Sequence, residues 1–535
     1  MEFALMADSN FKDATAGLQQ SLQNLSTLTK PTTQSAMFRL SFLLWVSPLL
    51  ALAATKPNLV LIYADDLGIG DLSCYGATAL QTPNLDRLAE NGLRFTAAYA
   101  TSATCTPSRY GLLTGKYPWR KAGNRILAGD APMIIPPGSS TLPALFRSAG
   151  YRTGVVGKWH LGLGSQAEPV DWNAAIRVGP LQIGFDRSFI MAATGDRVPT
   201  VYVEDDRVVN HDPADPIQVR YQKKIGDWPT GRENPDLLKF GADDQHSDTI
   251  THGVSRIGFM TGGKAALWKD DELGDHFTEK ALEFIAQEKE KPFFLFFALH
   301  EPHVPRVPAA RFVGKTSLGA RGDVIAQLDA HVGAVMRQLK QLDLLEKTIV
   351  MVTSDNGPVL FDGYEDGAAE KNAAHKPAGP HSGGKYSKLE AGTRVPLIIS
   401  WPGTIAPGVS AAANSQVDFL ASFASLLGQP LPEGDGRDAS AVLLGKSAVG
   451  REVIVQEGIA GLALRVGDWK FIPAHKGADK IKEMRSGNAP QAQLYHLTED
   501  PAETRNLAKE HPEKVKELAA RLKDIVGQVE LGKKP

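Results

Sequence analysis

Two acidic pairs follow β-rich runs: Asp65-Asp66 after Asn58 to Tyr63 (NLVLIY), and Asp355-Asn356 just after Thr348 to Thr353 (TIVMVT). In open α/β sheets, ligand sites form outside the carboxyl ends of the strands. Adjacent strands of this kind would bring three carboxylates and one amide together. Such a cluster is intolerable in an apolar crevice without a cation, and an all-oxygen set suits a hard ion, Ca²⁺ ahead of Mg²⁺. Each pair alone also fits an ordinary turn, because Asp-Asn-Gly is common turn chemistry. A second group is Cys105-Thr106-Pro107-Ser108-Arg109, followed by Leu112-Leu113-Thr114-Gly115. A free cysteine is usually a small buried hydrophobe, and Cys74 is read so. Cys105 differs, with Pro at +2 and Arg at +4.

The elements that must position these residues alternate. From Lys56 onward, short apolar runs and helical patterns predict an α/β fold, a sheet covered by helices on both faces. Thr82-Pro83 opens a helix with a cap and a first-turn proline, and Gly92 closes it. Ser140 to Ala149 is helical, Tyr151 to Val156 strand-like, and Pro292 to Leu299 (PFFLFFAL) a buried parallel strand. Val324, Leu328, Val332, Val335, Met336 and Leu339 recur at helical spacing. Between Asp196 and Trp268 the pattern is irregular and polar, as expected of loops over a site. Gln429 to Gly450, rich in Pro, Gly and Asp, reads as a linker.

After the linker, Glu452 to Gln456, Ala463 to Val466 and Gln493 to Leu497 are strands, and Pro512 starts a helix with Val515, Leu518, Leu522 and Ile525 on one face. This predicts a large unit over 55–445 and a small α+β subdomain over 446–535, with a small antiparallel sheet and a terminal helix. Met37-Phe38-Arg39 and the apolar run Leu40 to Ala54 read as a signal peptide over 37–54. Residues 1–36 then read as a non-native extension. The expected compartment is periplasmic or extracellular, with no membrane span once the signal is removed.

The 535 residues are 43% hydrophobic and 22% charged, which excludes disorder, collagen-like repeats and a small disulfide scaffold. Lys+Arg 58 against Asp+Glu 60 leaves no basic surplus for nucleic acid or anionic lipid, so any anion site must be local. Two cysteines allow at most one bridge, and their spacing demands none.

Ala103 to Gly115 (ATCTPSRYGLLTG) resembles the first signature of the type I sulfatases, and Gly150 to His160 (GYRTGVVGKWH) resembles the second. The likeness extends from Asn58 to Leu494-Tyr495-His496-Leu497-Thr498-Glu499-Asp500-Pro501. It implies an alkaline-phosphatase-like fold: a large mixed, mostly parallel sheet sandwiched by helices. It also implies that a formylglycine-generating enzyme oxidises Cys105 to formylglycine, whose hydrate is the nucleophile. Asp65, Asp66, Asp355 and Asn356, with the modified Cys105, would hold Ca²⁺. Arg109 would neutralise and orient the hydrate, and Lys158, His160, His303 and Lys385 would surround the sulfate, Lys385 and His303 on the leaving-group side. The chain departs from many relatives at His381-Ser382, before Gly383-Gly384-Lys385, and at Ala391 within Glu390-Ala391-Gly392-Thr393-Arg394.

The chemistry agrees with those roles. A sulfated cysteine would be a dead end, whereas an aldehyde hydrate has one hydroxyl to attack sulfur and a second whose deprotonation expels sulfate. A metal lowers the hydrate's pKa, and a His or Lys meets charge developing on the bridging oxygen. His375, Lys376 and His381, in a loop near Lys385, are candidates for reading the substrate. The expected substrate is a sulfated carbohydrate or aryl sulfate. Val203 to Arg207 and His252 to Gly258 look most like bacterial sulfatases acting on galactose or N-acetylgalactosamine 6-sulfates. A phosphonate monoester or phosphodiester hydrolase using the same nucleophile, and a non-catalytic sulfated-glycan binder, are the competing readings.

Overall fold

The computed structural model of the protein describes residues 56–527. The segments 1–36 and 37–54, expected as an extension and a signal peptide, lie outside the described residues. The main sheet uses β1 (Asn58–Ala64), β2 (Leu93–Tyr99), β3 (Arg152–Lys158), β4 (Arg187–Met191) and β5 (Tyr202–Glu204). It continues with β6 (Arg207–Val208), β7 (Phe293–Ala298), β8 (Thr348–Ser354), β9 (Arg394–Ser400) and β10 (Gly408–Ser410). Their order is β10-β2-β9-β8-β1-β7-β3-β4-β5-β6, and Asn414–Ser415 adds a short piece beside β2. The run β8, β1, β7, β3, β4 is parallel. β9 is antiparallel to β8 and β2, and β5 and β6 form an antiparallel edge. The sheet is thus mixed and mostly parallel.

Strands covered on both faces read as unbroken apolar runs, and β1, β7 and β8 are buried at every position. Among the described residues, the helices flanking the sheet include α1 (Pro83–Glu90), α2 (Cys105–Thr114), α3 (Leu142–Ser148), α4 (Leu273–Glu288), α5 (Gly319–Gln341) and α6 (Phe419–Leu426). Leu59, Leu61 and Tyr63 of β1 share a core with residues of α2, α3 and α6. Val60, Ile62 and Ala64 share the opposite one with α1, α4 and α5. Each fully buried Leu, Ile or Phe contributes roughly 1.5–3 kcal/mol, so these two cores fix the strand ends on which the site is built.

Two local expectations change. Thr82 does not cap α1 with its hydroxyl, which receives Ser73 N at 3.0 Å instead. The α1 amides of Asn84 and Leu85 donate to Asp329 of α5 at 3.0 and 2.8 Å, so a carboxylate distant in sequence does the capping. Residues 429–450 are not a free linker, because Val442, Leu443 and Leu444 pack into the core that contains α6.

The C-terminal sheet is antiparallel, in the order β11 (Val453–Gly458), β12 (Gly461–Val466), β13 (Trp469–Ile472), β14 (Gln493–His496). Helix α7 (Pro512–Val526) buries Leu518, Leu522 and Val526 against Val455, Leu464, Phe471 and Leu494. This sheet meets the main one through Lys470, whose Nζ lies 3.2 Å from Glu390 Oε1 and 3.1 Å from Glu503 Oε1. All three side chains are buried. Burial, with Glu390 beside it, pushes the Glu503 carboxyl up from 4.5 to about 7. Folded protein then keeps this proton after the unfolded chain has lost it, so this group's contribution to stability falls as pH rises from 4.5 to 7. Glu503→Gln is expected to remove that slope. The difference in melting temperature between wild type and variant, measured at pH 5 and pH 8, should correspond to about 1–3 kcal/mol. Parallel pH profiles would refute it.

Candidate active site

The β1–β8 register sets Ala64 opposite Ser354, so both strands release their next residues side by side. Asp355 N donates to Ala64 O at 3.1 Å. Asp66, at φ 63°, turns back so that its N–H donates to Asp355 Oδ1 at 3.3 Å. Asn356 Nδ2 donates to Asp66 Oδ1 at 2.7 Å. Asp65, Asp66, Asp355 and Asn356 are all buried at the carboxyl end of the sheet.

Cys105 is the first residue of α2. Pro107 falls in the first turn, where amides have no intrahelical acceptor, and Arg109 one turn on shares the face of Cys105. Cys105 Sγ lies 3.7 Å from Asp65 Oδ1. Arg109 donates Nε and Nη2 to Asp355 Oδ2 at 3.1 and 2.9 Å, and Nη1 to the Lys158 carbonyl at 2.9 Å. Lys158 ends β3, and its Nζ donates to Asp65 Oδ2. Lys385 Nζ donates to Asp66 Oδ2 at 2.9 Å and Asp362 Oδ2 at 2.8 Å.

The hydrogen bonds assign the imidazole tautomers. His303 Nδ1 donates to the Val304 carbonyl at 2.6 Å, leaving Nε2 as an acceptor 3.8 Å from Asp66 Oδ2. His160 Nε2 donates to Leu127 O at 3.0 Å, and its Nδ1 has no hydrogen-bond partner among the described residues. Burial, helped by Lys385 and Lys158 at His303 and by Lys158 at His160, holds both rings well below the usual range, hence neutral. Burial opposes the Lys385 charge, but Asp362 and Asp66 outweigh it and keep the ammonium. Burial also pushes the Cys105 thiol up. The thiolate is therefore scarce, and an unmodified Cys105 is a poor nucleophile here.

A cavity of about 280 Å³ opens above these groups, lined by Cys105, His160, His303 and Lys385 from the expected set. Sequence reasoning missed Asp196, Arg197, His246, Asp362, Tyr386 and Lys482, which also line it. Arg197 Nη1 donates to both Asp196 oxygens at 2.8 Å, and His246 Nε2 lies 3.4 Å from Asp196 Oδ2. His246 Nδ1 lies 2.6 Å from Asp243 Oδ1, and Lys482 Nζ donates to Asp243 Oδ2 at 2.9 Å. Burial opposes the His246 charge, yet Asp196 and Asp243 hold its pKa above the usual value. For Asp196, Arg197 and His246 the signal in the sequence was the irregular polar stretch from Asp196 to Trp268, which does not reach Asp362, Tyr386 or Lys482.

Three expected substrate readers are not on this cavity. His375 is buried, its Nε2 2.9 Å from Asp71 Oδ1, beside the Arg321–Asp71 pair. Lys376 is exposed, and His381 lines a different cleft, with Nδ1 3.2 Å from Pro501 O. Closeness to Lys385 in sequence misled, because the loop turns these side chains toward other elements.

The donor set fits a hard cation. Of the expected oxygen ligands, Asp65 and Asp66 fall with Cys105 and His303 in a cluster whose ligand atoms lie within 4.8 Å of one another, while the Asp355 oxygens accept from Arg109 and the Asp66 amide. Asn356 Oδ1 is a buried acceptor with no hydrogen-bond partner among the described residues, as an oxygen reserved for a cation would be. Arg109, Lys158 and Lys385 face four carboxylates, Asp65, Asp66, Asp355 and Asp362, so an arriving anion needs further positive charge.

The sulfatase family pattern matches residues 57–429. The chain is 52% identical, over 88% of its length and 93% of the relative's, to an N-acetylgalactosamine-6-O-sulfatase of Bacteroides thetaiotaomicron. It is 32% identical to human arylsulfatase A, over 86% of each chain. A solved structure from work on the metabolism of multiple glycosaminoglycans by Bacteroides thetaiotaomicron superposes with a TM-score of 0.87 at 51% identity, covering 88% of this chain and 100% of that one.

Proposed function

Because the chain belongs to the sulfatase family and is a sulfuric ester hydrolase, we propose that it removes 6-sulfate from N-acetylgalactosamine or galactose in a glycan. The observation that carries this reading is the Cys105 Sγ at 3.7 Å from Asp65, ringed by Arg109, Lys158 and Lys385 in a polar cavity. The 52% identity to an N-acetylgalactosamine-6-O-sulfatase supports the choice of sugar.

We assign Cys105 as the site of formylglycine, made by a formylglycine-generating enzyme; the aldehyde hydrate supplies the attacking hydroxyl and a second hydroxyl for sulfate release. Asp65, Asp66, Asp355 and Asn356, with the modified residue 105, would hold Ca²⁺, which supplies acidity to the hydrate and charge for a sulfate oxygen. Arg109 is fixed by Asp355 and the Lys158 carbonyl, so its guanidinium orients the group at 105 without having to move. Lys158 and His160 flank the sulfate. Lys385, kept protonated by Asp66 and Asp362, donates to the bridging oxygen where charge appears as the ester bond breaks, and His303 lies on the same leaving-group side with Nε2 as an acceptor. Asp196, Arg197 and His246 offer acceptors and donors to sugar hydroxyls from the far wall.

The test is turnover of matched 6-sulfated, phosphodiester and phosphonate sugars or aryl esters; faster turnover of either phosphorus ester would overturn the reading. Lys158→Ala is expected to lower kcat about a hundredfold in protein that still gives a folded circular dichroism spectrum, and an unchanged kcat would remove Lys158 from the site. We further propose a catalytic domain over 55–445, a C-terminal subdomain over 446–535, and export through the 37–54 segment. No helix among the described residues is long and apolar enough to cross a membrane. Amino-terminal sequencing of the exported protein tests the signal, and a mature chain retaining residues 1–36 would refute it.

A further inference from the structure

A second cleft, of about 370 Å³, lies where β2 and β9 meet the C-terminal sheet, and Arg94, Arg394, Arg465, Tyr75, His381 and Asp468 line it. Its arginines are only partly used. A guanidinium carries five N–H donors in a planar fork. Arg394 donates Nε to Thr96 O at 2.9 Å and Nη1 to Glu390 Oε2 at 3.2 Å. Arg465 donates Nε to Gly467 O at 2.8 Å and Nη1 to Tyr99 Oη. Neither Nη2 has a hydrogen-bond acceptor among the described residues. Arg94 is half-buried, its guanidinium carbon 4.8 Å from the centroid of the Tyr75 ring, and it donates to no described residue.

Three arginines share the cleft with one carboxylate, and Asp86 and Glu90 border Arg94 from the adjoining cleft. Asp468 lines the cleft, while Glu390 sits behind it and is already shared by Arg394, Lys470 and the Tyr99 hydroxyl. Unused forks converging on a half-enclosed polar space suit a planar or tetrahedral oxyanion, which can take two parallel N–H bonds from each guanidinium. We propose that this cleft is a second, non-catalytic binding site for polyanionic carbohydrate, taking sulfate or carboxylate groups of the glycan whose ester the catalytic cavity cleaves. Such a site raises the affinity for a long anionic chain without touching the chemistry, because the second contact is intramolecular once the first is made. The proposal rests on the carbohydrate reading above.

The test is calorimetric titration of Cys105→Ser protein, which binds without turnover, carrying in addition Arg94→Ala or Arg94→Glu. Arg94→Ala removes no hydrogen bond to a described residue, so folding is not at stake. The ligands are a hexasaccharide sulfated on every second sugar, the 6-sulfated monosaccharide, and inorganic sulfate. Arg94→Ala should raise the Kd for the hexasaccharide about fivefold and Arg94→Glu more, with the Kd for the monosaccharide unchanged. An unchanged hexasaccharide Kd in Arg94→Glu overturns the proposal, as do equal changes for both sugars, which would mean an effect through the catalytic cavity. Binding of inorganic sulfate that depends on Arg94 while hexasaccharide binding does not would make this a free-ion site and overturn the glycan assignment. Arg94-dependent hexasaccharide binding without monosaccharide binding would instead sink the substrate reading and leave this one standing.

Discussion

Cys105→Ser is expected to lower kcat on a 6-sulfated sugar by at least about a thousandfold in protein that folds as wild type does. Serine nearly matches the volume of the thiol it replaces, at a position 1% exposed at the start of α2, so packing gives no reason for the loss. The reason is chemical: a serine hydroxyl is not the thiol that a formylglycine-generating enzyme oxidises, so no aldehyde hydrate forms at position 105. A sulfated serine, once made, lacks the second hydroxyl whose deprotonation expels sulfate. The checks are single-turnover and steady-state kinetics, with mass spectrometry of the peptide carrying residue 105. Full activity of Cys105→Ser, or of wild type carrying an unmodified thiol, would overturn the assigned nucleophile.

The second large effect is expected at the cation site. Chelation should abolish turnover and lower the melting temperature, and Ca²⁺ should restore both. An ion present at a thousandfold excess over its Kd stabilises by about 4 kcal/mol. Asp355→Ala should lower kcat at least about a hundredfold and remove the Ca²⁺-dependent rise in melting temperature. Its loss also strands the buried Arg109, which donates two hydrogen bonds to that carboxylate, so the variant is less stable even before metal is added. Asp355→Asn, which keeps the shape and removes only the charge, separates the two causes. Bound calcium measured by atomic spectroscopy gives a readout independent of activity. Metal content and melting behaviour identical to wild type would refute Asp355 as a ligand.

Most of the candidate site that the structure brings together was legible because it stands on regular elements. Strands buried on both faces show as apolar runs, and an acidic pair ending such a run has one place to go, the carboxyl edge of the sheet. Cys105 and Arg109 stand four residues apart on α2 and so share a face, although the sequence pointed to them by motif likeness. His303 and Lys385 came from motif likeness, and no periodicity pointed to them. Asp196, Arg197, His246 and Lys482 were hidden because irregular backbone carries no period. They meet through contacts such as Lys482 to Asp243, which join residues far apart in the chain. The same limit set His375 and His381 beside Lys385 in sequence although the structure keeps them off its cavity, since neighbours in a loop can face opposite ways. It also hid Asp329, which caps a helix over two hundred residues earlier.

The burial of Cys105 has a consequence for timing. At 1% exposure, on the first turn of α2 and at the floor of a cavity of about 280 Å³, the thiol is reached in the finished protein only by molecules small enough to enter that cavity. The enzyme proposed to oxidise that thiol would have to meet the segment as open chain, before α2 winds and the cavity forms about it. Activation therefore competes with folding. Under the proposed modification, a molecule that folds with the thiol intact would stay inert, and the active fraction would record a race run during synthesis.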